Sequence, residues 1–208
     1  MSLARAGLPT IFALAFMAAG AYFVAGPPAA FAMLIPLGVA LWFYRDPERT
    51  PPDDPAAWVS PADGKVVEVV PDAQDEYAGT CVKIGIFMNG FDVHVNRSPA
   101  DGEIEYTRYV RGKKWFAIEP KASENNERFY VGIKTAQGRT TLVQIAGIMA
   151  RRIAFYEKQG NTLARGQRYG MIKLGSKVDV YLPPDVKPSV RTGDRVRAGE
   201  SVIGVSNT

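Results

Sequence analysis

Arg165-Gly-Gln-Arg-Tyr-Gly170-Met-Ile-Lys-Leu-Gly175-Ser176-Lys-Val-Asp-Val180-Tyr-Leu-Pro183 is the stretch whose reading decides the fold. Two strand-like runs, Tyr169–Leu174 and Val178–Leu182, meet at the dipeptide Gly175–Ser176. Glycine between strands marks a turn, because it adopts backbone angles that other residues avoid. The same β-branched or alternating pattern continues in both directions, with glycine turns between the runs. Lys65–Val70, Thr80–Met88, Glu103–Val110, Arg128–Lys134, Thr140–Ile148 and Ser201–Val205 all read as strands. Ile148–Lys158 is the longest helix-compatible stretch of this region. The expected class is mostly β, a double antiparallel sheet sandwich.

An internal repeat supports that class. Ser60-Pro-Ala-Asp63-Gly64 recurs as Ser98-Pro-Ala-Asp101-Gly102, each copy followed by a strand. Proline followed by Asp-Gly is turn chemistry, so the repeat predicts two similar hairpin entries on a pseudo-symmetric sandwich. The tail, Val190–Gly204, carries two glycine–acid turns and is similar to the barrel-sandwich fold of biotinyl and lipoyl domains. It lacks the modifiable lysine those carriers present at an exposed hairpin.

The N-terminus differs in kind. No residue between Arg5 and Arg45 is charged. Two apolar runs, Leu8–Ala25 and Ala29–Tyr44, flank Gly26-Pro27-Pro28, and each is near the lower length for crossing a hydrocarbon core of about 30 Å. A membrane-associated helical hairpin is expected over residues 1–45, either spanning or embedded. Trp42, Phe43 and Tyr44 would lie at the interface. Arg5, Arg45 and Arg49 would keep both ends, and the following domain, on the cytoplasmic side of the cell membrane. Residues 46–58 are rich in proline and acid and read as a linker, leaving 59–208 as the β domain.

Few residues can carry chemistry. The 208-residue chain has one histidine, His94, and one cysteine, Cys81. No disulfide framework exists, and the usual three or four nitrogen and sulfur ligands of a zinc site cannot be assembled. No carboxylate cluster stands out, so no metal is expected. Cys81 reads as a small buried strand residue. Asp63 and Asp101 occupy matching turn positions, where an aspartate caps its own turn. From Arg151 to Lys177 the chain carries Arg151, Arg152, Lys158, Arg165, Arg168, Lys173 and Lys177 against the single acid Glu157. On a membrane-tethered domain such a basic face suits anionic membrane lipid better than nucleic acid.

Beyond about residue 45 the chain resembles the proenzymes of the phosphatidylserine decarboxylase family, short prokaryotic type. The likeness is carried by Leu174-Gly175-Ser176, Ser60–Gly64, Phe91-Asp-Val-His94-Val-Asn-Arg97-Ser-Pro99, Lys121–Arg128 and Val143–Arg152, in that family's order. It implies self-cleavage between Gly175 and Ser176 into chains 1–175 and 176–208, which stay associated as a heterodimer; any higher oligomer is left open. Ser176 would become a covalent pyruvoyl cofactor that forms a Schiff base with the amine of phosphatidylserine and releases phosphatidylethanolamine. The resemblance assigns His94 as base, Asp63 as the group that holds the imidazole, and leaves Asp101 structural. In the long bacterial form two histidines stand three residues apart here; His94 matches the first and Arg97 replaces the second. His94 therefore serves as decarboxylation acid, as cleavage base, or as both. The rival reading is a non-catalytic, membrane-anchored barrel-sandwich adaptor or carrier.

Overall fold

A computed structural model describes residues 2–112, 125–147, 153–173 and 175–206. Leu174, residues 121–124 of the Lys121–Arg128 motif, and residues 148–152, which include Arg151 and Arg152, lie outside the described residues. The chain divides into two compact units, residues 1–48 and 49–208.

The first unit is built on helices α1 (Leu8–Ala25) and α2 (Pro27–Phe43), broken at Gly26 (φ +76°). Strand β1 (Ser2–Leu3) pairs with β2 (Arg45–Asp46) and ties the open end of the hairpin. The helix from Arg5 to Ala25 is long and apolar enough to cross a membrane, whereas α2 is shorter. Phe16 and Phe23 are 81% and 84% exposed, a display of apolar surface that favours apolar surroundings. The expected aromatic trio splits. Trp42 is exposed with Arg45 over its ring at 4.2 Å, while Tyr44 packs where a Cβ on Gly7 would stand.

The second unit is mostly β. Its strands are β3 (Ala57–Val59), β4 (Gly64–Asp75), β5 (Gly79–Met88), β6 (Val95–Arg97), β7 (Gly102–Val110), β8 (Arg128–Thr135), β9 (Gly138–Ile145), β10 (Ile153–Phe155), β11 (Thr162–Leu163), β12 (Arg168–Ile172), β13 (Ser176–Leu182), β14 (Val186–Pro188), β15 (Arg195–Val196) and β16 (Val202–Ser206). One large antiparallel sheet runs β11-β7-β8-β9-β13-β5-β4-β15 and curls into a half-barrel. Bulges at Val66/Glu68, Val70/Ala73 and Ile104/Tyr106 help it curl. Two small sheets, β10-β12-β6 and β14-β16-β3, accompany it. The layers are therefore unequal, not a pair of matching sheets. Ile84, Ile86, Leu142, Val178 and Val180 fill the core with Trp58.

The repeat is structural as well as textual. Ser60 Oγ donates to Ala62 O at 2.7 Å, and Ser98 Oγ to Ala100 O at 2.7 Å. Asp63 Oδ1 accepts Ala198 N–H at 2.7 Å, and Asp101 Oδ1 accepts Arg165 N–H at 2.8 Å. Gly199 N–H reaches Ser60 O just as Gly166 N–H reaches Ser98 O. Each copy thus opens a long strand, β4 or β7, beside a two-residue edge strand, β15 or β11.

Three expectations change. Ile153–Phe155, inside the expected helix, is strand β10, paired with β12. Ile153 and Phe155 alternate around Ala154 and pack on the core, and so short an apolar run cannot reveal its period. The proline-rich stretch is held to the domain: Arg165 donates to Pro52 O at 2.7 Å, to Ala57 O at 2.9 Å and to Asp54 O. The basic run is no continuous face, since Arg165 is spent on those carbonyls and Lys177 is buried. Cys81 is buried as expected, and burial followed by nearby Asp75 pushes its thiol up to about 11.

Gly64 has φ +147°, and a Cβ there would stand 2.1 Å from Phe87 O. Gly64→Ala is expected to destabilise the protein by roughly 2–4 kcal/mol, read as a lowered denaturant midpoint.

Candidate functional site

Three neighbouring strands end together. β4 begins at Gly64, β5 ends at Met88 and β13 begins at Ser176; Lys65 faces Phe87, and Ser176 faces Met88 across the ladders. The first Asp-Gly turn and the Gly175–Ser176 bond therefore flank the same strand end, about 10 Å apart at a ladder spacing of about 4.8 Å. β13 is a central strand, paired with β5 on one side and β9 on the other. Its first side chain is consequently shut away from water.

Ser176 is fully buried, and its Oγ makes no hydrogen bond among the described residues. A buried hydroxyl is normally satisfied, and leaving one unpaired costs about 1–3 kcal/mol. Gly175 before it has φ +53°, with open space where a Cβ would stand. The left-handed backbone suits glycine there.

His94 lies on the segment between β5 and β6. The loop after β5 is folded on Asp92, whose Oδ2 accepts Asn89 N–H at 2.9 Å and whose Oδ1 accepts Arg195 Nη1 at 3.1 Å. The Asp92 carbonyl then takes the His94 Nδ1 hydrogen at 2.9 Å. A carbonyl only accepts, so the neutral ring carries its proton on Nδ1 and its lone pair on Nε2. His94 is fully buried, and its carbonyl accepts Ile172 N–H at 3.3 Å, at the end of β12 just before the Gly-Ser.

Asn96 lies in β6, two residues after His94. Asn96 Nδ2 lies 3.7 Å from Met88 Sδ, over the residue that faces Ser176, and Gln144 Nε2 donates to Asn96 Oδ1 at 2.8 Å. Gln144 sits opposite Val178, on the Ser176 face of the sheet. Asn96 and Gln144 are fully buried. Gly170 makes room for Gln144, since a Cβ there would stand 2.9 Å from Gln144 Nε2. Neither amide was singled out from sequence; the available signal was a lone glutamine in the apolar run Leu142–Ala146.

Asp63 is engaged elsewhere. Its Oδ2 pairs with Arg49 Nη2 at 2.9 Å, and its Oδ1 caps Ala198 N–H. Arg49 also bonds Glu200 at 3.1 Å. On the Nδ1 side of His94 the holding group is the Asp92 carbonyl. Arg97 is buried between the two repeat turns, donating to Gly166 O at 3.0 Å, with its Cδ against Gly199. Among the described residues no group of three or more His, Cys, Asp or Glu could hold a metal ion.

The opposite face of the same strands carries an ion quartet, in which Lys177 and Asp179 are buried and Lys83 and Glu68 are partly exposed. Lys177 Nζ lies 3.0 Å from both Glu68 Oε2 and Asp179 Oδ1. Lys83 Nζ lies 2.9 Å from Glu68 Oε2 and 3.5 Å from Asp179 Oδ2. Burial raises the Glu68 pKa, but Lys83 and Lys177 outweigh it and hold the carboxyl below its usual range. Burial lowers the Lys83 pKa, but Asp179 and Glu68 outweigh it and the ammonium titrates above its usual range.

The site is thus a buried serine at the head of a central strand in a mostly β domain. Comparison with known proteins gives the family. The profile described as Phosphatidylserine decarboxylase matches residues 38–204. A protein of Desulfotalea psychrophila named Phosphatidylserine decarboxylase proenzyme is 42% identical over 203 residues, covering 97% of this chain and 95% of its own. One of the same name from Symbiobacterium thermophilum is 44% identical over 204 residues, covering 97% and 94%. Another, from Cupriavidus pinatubonensis, is 49% identical over 166 residues, covering 78% and 76%. The chain belongs to the phosphatidylserine decarboxylase family.

Asp179→Asn would leave two lysines facing one carboxylate, and is expected to cost about 3 kcal/mol in a denaturant titration. Wild-type stability should carry the quartet's contribution on a plateau between about pH 5 and pH 10. The Glu68 share is lost as pH falls through its lowered folded pKa. The Lys83 share is lost as pH rises through its raised one.

Proposed function

We propose that this chain is a membrane-anchored decarboxylase that converts phosphatidylserine to phosphatidylethanolamine, using a pyruvoyl group made from Ser176 by self-cleavage after Gly175. The observation that carries the reading is the buried Ser176 hydroxyl without a hydrogen bond, directly after a left-handed glycine, in a family whose relatives are named proenzymes.

The residues fit both stages. With Nδ1 bound to Asp92 O, His94 Nε2 is the basic atom that takes the Ser176 proton. Ser176 Oγ attacks the Gly175 carbonyl and the peptide becomes an ester. Loss of the Ser176 Cα proton then expels the Gly175 carboxylate. Hydrolysis of the remaining enamine releases ammonia and leaves a ketone at the new terminus. That pyruvoyl ketone supplies the electron sink for an amine substrate losing CO2. His94, once protonated on Nε2, returns a proton to the substrate carbon. Asp63 acts as a positioning residue, fixing the turn at the head of β4 through Arg49 and Ala198. The two chains, 1–175 and 176–208, stay together through the pairing of β13 with both neighbours. The apolar N-terminal unit anchors the domain at the cell membrane, facing the cytoplasm, where phosphatidylserine lies.

Full-length protein in mixed micelles is expected to form phosphatidylethanolamine from phosphatidylserine. Ser176→Ala should be inactive, and His94→Gln should slow cleavage by about a hundredfold or more. Asp63→Asn should slow cleavage less. Undiminished turnover by Ser176→Ala would rule out the pyruvoyl reading.

A further inference from the structure

Ser176 Oγ and Gln144 Oε1 are buried polar atoms on the Ser176 face of the sheet, and neither makes a hydrogen bond among the described residues. The first is consumed in the proposed chemistry. The second is a pure acceptor, held in place because Gln144 Nε2 is committed to Asn96 Oδ1. Asn96 is set in turn over Met88 Sδ, the residue facing Ser176. By strand register Gln144 is the diagonal neighbour of Ser176, about 7–8 Å away at Cα and within reach of a long side chain. Gly170, without a side chain, leaves the volume the carboxamide occupies.

We propose that Gln144 is a substrate-positioning residue whose Oε1 accepts an N–H of the substrate's primary amine, and that Asn96 fixes the orientation of that carboxamide. The inference rests on the pyruvoyl reading above. A primary amine attacking a carbonyl has one lone pair, which must point at the carbon, and N–H bonds that need acceptors elsewhere. A neutral amide oxygen meets that need without favouring the ammonium form, which has no lone pair to attack with. A carboxylate at the same place would hold the amine protonated. A hydroxyl headgroup of the same length could donate its O–H to Gln144 but has no amine with which to form the Schiff base. The buried acceptor therefore orients the amine rather than selecting it.

The test uses full-length protein carrying Gln144→Met, which keeps volume and removes the acceptor. Three quantities are read: extent of cleavage by mass, rate of borohydride reduction of the new ketone to a lactyl group by mass, and kcat/KM for phosphatidylserine. Cleavage and reduction, which involve no substrate amine, are expected at the wild-type level. kcat/KM is expected to fall about ten- to hundredfold, and Gln144→Glu, whose carboxylate holds the amine protonated, not to recover the loss. Decarboxylation by Gln144→Met within twofold of wild type overturns the proposal. So does a loss of cleavage or reduction in step with turnover, or a failure of Gln144→Met to fold, because each assigns Gln144 to packing. A wild-type chain that stays uncut while still decarboxylating refutes the pyruvoyl reading itself, and is told apart by the absence of a reducible ketone.

Discussion

Ser176–Leu182 is hydrogen-bonded along both edges, to β5 and to β9. That double pairing places a serine at the first position of a central strand, where water cannot satisfy its hydroxyl. It also makes the segment after Gly175 part of the sheet through its own ladders, so the covalent link at its head is not what holds it. Val178 and Val180 bury one face in the core, and Lys177 and Asp179 on the other are locked in the ion quartet with Lys83 and Glu68. Gly85 opposite Asp179 leaves room for the Lys177 chain. A strand fixed on both faces and both edges can lose its N-terminal peptide bond and keep its place.

The ends of that sheet are arranged by the repeat. The two Ser-Pro-Ala-Asp-Gly turns use the same serine, aspartate and glycine contacts, and a Cβ on the partner glycine Gly199 would stand 3.6 Å from Cα of the other, Gly166. Arg97 runs between them. The copies diverge in what surrounds the aspartate. Asp101 caps Arg165 N–H, whereas Asp63 caps Ala198 N–H and also binds Arg49. One turn stands at the strand end shared with Ser176, and pseudo-symmetry has thus left one copy structural while the other borders the site.

The long strands were legible because alternation and glycine turns are local signals. Thr80–Met88 and Arg128–Lys134 needed only small adjustments at their ends. The repeat was legible as text; the resemblance pointed to Ser176 and His94, whose roles belong to the proposal. Strands of two or three residues, such as Thr162–Leu163 and Val95–Arg97, are too short to show a period, and Ile153–Phe155 was taken into a helix for the same reason. Charges misled where their partners are distant in sequence. Lys177 reads as surface until Glu68, 109 residues away, is brought beside it. The Asn96–Gln144 contact spans 48 residues and three strands' worth of register, and nothing local announces it.

The most direct measurement is the intact mass of the purified full-length protein. The account predicts two chains, 1–175 and 176–208, with the shorter one lighter by the difference between a serine and a pyruvoyl terminus. A single uncut chain of full mass in a preparation that decarboxylates phosphatidylserine would contradict it.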